Sequence, residues 1–578
     1  MQVSGVRVAK SPRMRSLRLP LSSLVRIVGA AVLLGSLVPS ASVALVPGDE
    51  AECAFGTGVP ETGLQGEVPL ADQISGRALD GYRCGIDVVG HHDLGGQQYN
   101  ANMAWVDDCA YVATAGSGVS VVDVTEPHEP TVVTTLNGPT PLDRPQDWGT
   151  DFALETLAAW ESNDPDNKRA FLAIGRYGNP PAWVRAPMDL YDVRDCDEPK
   201  LLGTYSWPTN IHNLTFSPDG ARIWATLPLQ AIDISAFDPD DVETFSEIDH
   251  LGDLEDDLQA DAEDRGNLDE RWRDEFLSHE ALEVDEGGRS ILYLGGQTPL
   301  FDTFSIIDVT DWVTGSGPAE VLSQQDASRG HSVRTATIDG ETYVLHSEES
   351  VADPTAKGCV PAELNPVGGA AQPYLTKVER DDEGSPTGID QGGATQFRLE
   401  INEPEHCATQ IADRMNSSVH YHDVDDPQDT SFALLSMWNS GLRIVDVRPP
   451  TGGGTPDMAE VAYFNPGAIE RIGGDSFLDV AWGHVRYQPD TGEIWLVTAR
   501  GGFWVLRLQP AVYDRIGLAV PSAHIAPPAE PVTRTKPFLR QIGAAPTAAY
   551  YCTLDTSTVT AAGAVTGVVS AATYPPSP

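Results

Sequence analysis

A short motif recurs along this chain, and the recurrence restricts the fold more than composition does. Gly118–Pro130 (GVSVVDVTEPHEP) has imperfect copies at Leu190–Pro199 (LYDVRDCDEP), Ala231–Pro239 (AIDISAFDP), Ser305–Asp311 (SIIDVTD) and Leu442–Pro450 (LRIVDVRPP). Each copy is a β-branched strand broken by one Asp and ended by a turn rich in polar residues or Pro. The Asp residues are Asp123, Asp192, Asp233, Asp308 and Asp446, spaced 69, 41, 75 and 138 residues apart. The last gap equals two units of 69; Gln396–Glu400 (QFRLE) reads as the degenerate copy inside it, and Phe503–Leu508 (FWVLRL) closes the series. Because it occurs in nearly every unit, this Asp reads as a structural turn or inter-blade hydrogen bonder rather than a catalytic acid.

Before the Asp-bearing strand lies a second recurrent feature, two strands joined by a tight turn. His212–Trp224 (HNLTFSPDGARIW) and His484–Trp495 (HVRYQPDTGEIW) show it, and the Asp and Gly of their turns tolerate the positive φ that hairpins need. After the Asp-bearing strand comes a further extended run, as in Thr131–Leu136 or Lys200–Tyr205. Four antiparallel strands per unit predict an all-β, seven-bladed β-propeller over 88–509, with units starting near Tyr99, Asp147, His212, His279, His331, His420 and His484. Val88 and Val89 are expected to supply the outer strand of the seventh blade and close the ring. Two insertions lengthen the units: an acidic one over 238–275, holding 17 Asp+Glu, and a Gly/Pro-rich loop over 350–395. The acidic run reads as a solvated face, since it lacks the alternating Asp spacing of a calcium loop. Residues 45–87 read as an N-terminal arm, and 510–578 as an Ala/Pro/Thr-rich tail of low order.

The copies at 118–130, 303–312 and 440–450 resemble the LVIVD repeat of exported bacterial propellers, and the resemblance covers most of 88–508. It implies a fold and no defined reaction. The hairpin at 212–224 also resembles those of selenium-binding-protein-type propellers, which include copper-dependent methanethiol oxidases; that likeness is confined to single hairpins.

Arg7, Lys10, Arg13, Arg15, Arg18 and Arg26, the apolar run Ile27–Val38 and the small-x-small triplet Ser42-Val43-Ala44 read as a general secretory signal peptide over 1–44. No apolar stretch is long enough for a membrane span. A secreted, extracellular bacterial protein is therefore expected. The formal charge is −47, with 84 Asp+Glu against 37 Lys+Arg, which disfavours nucleic acid and anionic lipid as partners. In an exported chain the seven Cys read as disulfide material: Cys359 with Cys407, Cys53 with Cys84 and Cys109 with Cys196, leaving Cys552 odd.

The chemistry falls to histidine. His212, His279, His331, His420 and His484 stand at one repeated position, eight or nine residues before a hairpin turn, whereas seven positions would hold about 0.16 His by chance (7 × 13/578). First strands of a propeller line its axial channel, so these imidazoles are expected to converge there on a transition metal: copper or iron, with zinc possible. His422 lies two residues beyond His420 and competes as the ligand from its blade; His91 and His92 approach the same mouth. Glu280 and Asp423 are expected to hold the second ring nitrogens. The competing reading is a structural histidine, like the Gly-His dipeptide of WD-type propellers, here Gly330-His331 and Gly483-His484. No hydrolase elbow, zincin helix, Walker loop or dinucleotide fingerprint is present. Two functions follow: a monomeric propeller binding a metal for oxidation of a small molecule, which would make any enzyme here a metal-dependent oxidoreductase, or a non-catalytic binding or adhesion propeller contacting a cell-surface protein or glycan.

Overall fold

The computed structural model describes residues 77–529 apart from 96–99, 115–117, 138–154, 165–167, 176–185, 210, 227, 255–257, 259–277, 298–301, 327–330, 348–371, 403–416, 452, 467 and 471–475, together with 61, 64–66, 70–75 and 532. All fall in the compact unit Gly48–Pro578. The export signal over 1–44, Cys53, Cys359, Cys407 and Cys552 lie outside the described residues.

Among the described residues, seven antiparallel sheets of four or five strands follow one another along the chain, beside one two-stranded hairpin, Ala468–Glu470 with Ser476–Leu478. The first blade is Asn100–Val106, Cys109–Thr114, Gly118–Asp123 and Thr131–Leu136. The second is Leu157–Glu161, Ala170–Gly175, Ala186–Asp192 and Lys200–Trp207. The third is Leu214–Phe216, Arg222–Ala225, Gln230–Asp233 and Asp249–Asp253. The fourth is Ser278–Glu286, Arg289–Gln297, Asp302–Asp308 and Glu320–Asp326. The fifth opens with Val333–Ile338, Glu341–Ser347 and Pro373–Arg380, the sixth is His422–Val424, Phe432–Ser436, Leu442–Asp446 and Ala459–Asn465, and the seventh opens with Ala481–Tyr487, Glu493–Thr498 and Gly502–Leu508. Neighbouring first strands touch one another all the way round, so they enclose a common axis.

Both faces of each blade are covered by a neighbour, which explains why the inner strands read as unbroken apolar runs rather than as an alternation. Seven apolar clusters fill the seven interfaces. Between the first and second blades, for example, Tyr111, Val119 and Val121 meet Leu172 and Ile174; between the seventh and first, Val497, Phe503 and Val505 meet Met103, Val112 and Val122. Hairpin turns fall where the Asp-Gly pairs predict them: Gly220 sits at φ +66° beneath the Trp160 ring, where a Cβ would come within 2.4 Å, and its N–H donates to the Ser217 carbonyl.

Ring closure is as expected. Ile86–His92 pairs with Gly502–Leu508 and supplies the outer strand of the seventh blade. Gly90 in that strand abuts the Pro127 carbonyl of the first blade, where a Cβ would sit at 2.0 Å. The expected arm also contributes Tyr82–Cys84, a fifth strand on the sixth blade. Cys109 is bonded to Cys196, linking the first and second blades; Cys84 is disulfide-bonded as well.

Three local expectations need correction. The third strand of the fifth blade is Pro373–Arg380, inside the stretch read as a loop, and not Gln396–Glu400. Its sequence PYLTKVER alternates but carries no Asp-Pro ending, and Gln396 instead pairs at its outer edge through Thr395–Gln396. The acidic stretch 238–275 contains the fourth strand of the third blade, Asp249–Asp253. The tail expected from 510 begins with a packed helix, Pro510–Ile516, whose Val512, Tyr513 and Ile516 join the core between the sixth and seventh blades; at seven residues it is too short to show a helical period.

Candidate metal centre

The site is built by one backbone register. In three blades the histidine that leads the first strand donates its N–H to the end of the second strand: His212 to the Thr226 carbonyl at 2.9 Å, His331 to Ser347 at 2.7 Å and His420 to Ser436 at 2.8 Å. The following residue accepts in return, as Asn213 does from Thr226, Ser332 from Ser347 and Tyr421 from Ser436. In the second blade Thr156 accepts from Gly175 in the same way. Glu155 therefore occupies the histidine position of its blade. His279, inside the longer first strand of the fourth blade, completes a run of five consecutive blades.

These five side chains meet in a buried cluster. Their donor atoms form two sets, Glu155 with His212 and His279, and Glu155 with His331 and His420, each with all donors within 4.8 Å of one another. His212 Nε2 lies 2.8 Å from His279 Nε2. Glu155 Oε2 is 3.3 Å from His212 Nε2 and 3.7 Å from His279 Nε2, and its Oε1 is 3.7 Å from His420 Nε2. Two ligands held at a right angle by one ion, with bonds of about 2.0–2.1 Å, stand about 2.9 Å apart. The spacing thus suits donors arranged about a cation, and the buried His and Glu groups could hold a metal ion.

Hydrogen bonding sets the tautomers. His279 Nδ1 lies 3.2 Å from the His331 carbonyl, His331 Nδ1 3.1 Å from the His420 carbonyl and His420 Nδ1 2.6 Å from the Trp482 carbonyl. A carbonyl only accepts, so each of these Nδ1 atoms carries a proton, and in the neutral ring Nε2 keeps its lone pair. Each blade thereby orients the imidazole of the blade before it. Hydroxyl groups tie the same strands together, Thr156 Oγ1 donating to the His212 carbonyl and Thr226 Oγ1 to that of His279, both at 2.8 Å. Tyr421 donates to Glu155 Oε2 at 3.3 Å and accepts from Asn213 Nδ2 at 3.2 Å.

Electrostatics keep the Glu155 carboxyl ionised and the His279 ring neutral. Burial works against ionisation of Glu155, but the hydrogen bond with His212 and the fields of His420, His212 and His331 outweigh it and hold the carboxyl well below the usual range. Burial, then the neighbouring imidazoles, drives His279 well below 6.5. A carboxylate facing a neutral imidazole is the donor set that divalent first-row metals take.

Of the sequence candidates, His212, His279, His331 and His420 are brought together, and His422 and His484 are not. His422 spends its Nε2 proton on the Ser332 carbonyl at 3.2 Å. His484 accepts at Nδ1 from Arg334 Nη2 at 3.0 Å and packs, tilted, against the Tyr421 ring. Its blade carries a register irregularity between Ala481 and Val485 that sets it out of step with the other histidines. Glu280 and Asp423 do not hold ring nitrogens of the cluster. Glu280 accepts from Ser332 Oγ, Val333 N and Arg334 Nη1; burial opposes its charge, but Arg334 prevails and the carboxyl falls to about 2. Asp423, with Arg334 Nε at 3.9 Å, is pushed up to about 6 by burial. His91 donates Nε2–H to the Gly501 carbonyl and His92 Nδ1 accepts from Leu94 N, so both belong to the closing strand. Glu155 and Tyr421 are the residues that sequence reasoning missed. Aligning the second blade by its hairpin would have exposed Glu155.

No protein-family model matches the sequence, and no curated protein matches it. Among solved structures the chain is similar to U3-55K, at 9% identity over 73% of this chain and 98% of that one, TM-score 0.39. It is similar to a chain of a mitotic checkpoint complex, at 10% identity over 73% and 91%, TM-score 0.38, and to the RRP9 WD40 repeats, at 9% identity over 73% and 97%, TM-score 0.38. The propeller assignment rests on the seven sheets of this chain.

Proposed function

We propose that this chain is an exported propeller whose axial centre binds a transition metal, copper or iron with zinc as the redox-inert alternative, and uses it to oxidise a small molecule. The observation that carries the reading is the convergence of four imidazoles on the Glu155 carboxylate, with the Nδ1 protons of His279, His331 and His420 directed away onto backbone carbonyls. A metal held by these donors supplies an electrophilic or redox centre screened from bulk water. The basic, apolar and small-residue segments of 1–44, the resemblance to LVIVD propellers and the Cys109–Cys196 disulfide support export. Among the described residues no helix is long and apolar enough to cross a membrane.

Metal analysis of the purified mature protein tests the reading. Wild-type protein is expected to retain copper, iron or zinc, and His212→Ala and His331→Ala to lose it. Wild-type protein that stays metal-free after reconstitution with each ion overturns the proposal. Such protein, binding a cell-surface protein or glycan instead, belongs to the non-catalytic class.

A further inference from the structure

We infer that the axial centre holds two metal ions bridged by Glu155, one between His212 and His279 and the other between His331 and His420; this rests on the metal-binding reading above. A carboxylate has two oxygens, each with lone pairs of its own, and can serve a different cation on each side. Here the two oxygens face different partners. Oε2 looks toward the third and fourth blades, 3.3 Å from His212 Nε2 and 3.7 Å from His279 Nε2. Oε1 looks toward the sixth blade, 3.7 Å from His420 Nε2. The five donors resolve into two triads that share Glu155.

A single ion with bonds of about 2.0–2.1 Å can reach two donors only when they lie within about 4.2 Å of each other. Gathering four imidazoles and a carboxylate around one ion would require five side chains from five blades to satisfy that limit pairwise. Two ions ask it only within each triad. The His279, His331 and His420 rings are held in place by the next blade's carbonyl. Tyr421 steadies the bridge from one side through its hydrogen bond to Glu155 Oε2. Two divalent ions against one carboxylate leave excess positive charge at the axis, and a chain of formal charge −47 provides the opposing field.

The count of bound ions decides. Mature wild-type protein equilibrated with Zn²⁺ is expected to bind two ions that depend on the axial residues. The pair variant His212→Ala/His279→Ala is expected to bind one of these, His331→Ala/His420→Ala one, and the variant lacking all four imidazoles none. Ions held by surface carboxylates persist in the last variant and are subtracted. One axial ion in the wild type, lost in both pair variants, overturns the bridged pair while leaving the metal centre standing; no axial ion with Zn²⁺, Cu²⁺ or Fe²⁺ in turn overturns both. Should a variant fail to fold, Cu²⁺-loaded wild-type protein gives the answer by electron paramagnetic resonance. A bridged pair is expected to couple, so that the integrated spin falls short of the copper content. Full, uncoupled spin at two axial coppers overturns the bridge.

Discussion

Each of His279, His331 and His420 donates its Nδ1–H to a carbonyl of the next blade, so the tautomers at the centre are set by the backbone rather than by acidic neighbours. That is why Glu280 and Asp423, chosen for their charge, turned out to serve Arg334. Glu155 escaped notice for a related reason: the repeated position was recognised by its histidines, and the second blade fills it with another ligand type. Tyr421 steadies Glu155, so Tyr421→Phe is expected to weaken metal binding roughly 10–100-fold. Direct titration with a competing chelator checks this. His346, a buried histidine outside the centre, bonds Thr376 Oγ1, and burial holds its ring near 4. Between that value and 6.5 the unfolded chain binds the extra proton, so stability is complete above pH 6.5 and falls as pH drops toward 4. From pH 6.5 to 5 the loss from this group is roughly 2 kcal/mol. Urea unfolding of His346→Gln, neutral at every pH, should show a shallower slope over that window than wild type; an unchanged slope would count against it.

Within a blade, the recurring Asp is a turn device. Asp123, Asp192, Asp233, Asp308 and Asp446 each accept through Oδ1 from the N–H two residues on, at 2.7–3.1 Å, which stops the third strand and starts the return. The sequence repeat was legible because five blades need the same backbone reversal. In the fifth blade the third strand, Pro373–Arg380, is followed by Asp381, whose Oδ1 accepts from Glu383 N at 3.0 Å in the same way, but Arg380 and Asp382 flank it where the other copies carry an apolar residue on at least one side, which hid the copy. Third strands run parallel to first strands, so these turns lie at the opposite end of the blades from the histidines. Asp446→Ala is therefore expected to cost about 1 kcal/mol from the lost hydrogen bonds to Arg448 and to leave metal content untouched. Thermal unfolding beside metal analysis separates the two effects, and a fall in metal content would contradict the separation.

Over the whole molecule, the seven sheets have to be joined into a ring, and Ile86–His92 makes the join. Asp87 locks it, accepting from Arg507 Nε and Nη2 at 3.0 and 2.8 Å and from Gln509 Nε2 at 2.9 Å. Asp87→Ala leaves the largely buried Arg507 without its carboxylate and is expected to cost about 3 kcal/mol. Faster proteolytic release of the N-terminal segment, together with a lower melting temperature, would report it; an unchanged melting temperature would show that apolar packing alone closes the ring. Closure matters to the centre because its five side chains come from five separate blades and share no local segment. The central claim is that imidazoles at the axis bind metal, and the most direct test is X-ray absorption at the zinc edge of reconstituted wild-type protein. Nitrogen and oxygen neighbours at about 2.0–2.1 Å are expected, with the outer-shell scattering of at least two imidazole rings. A shell of oxygen alone, without imidazole scattering, would contradict it.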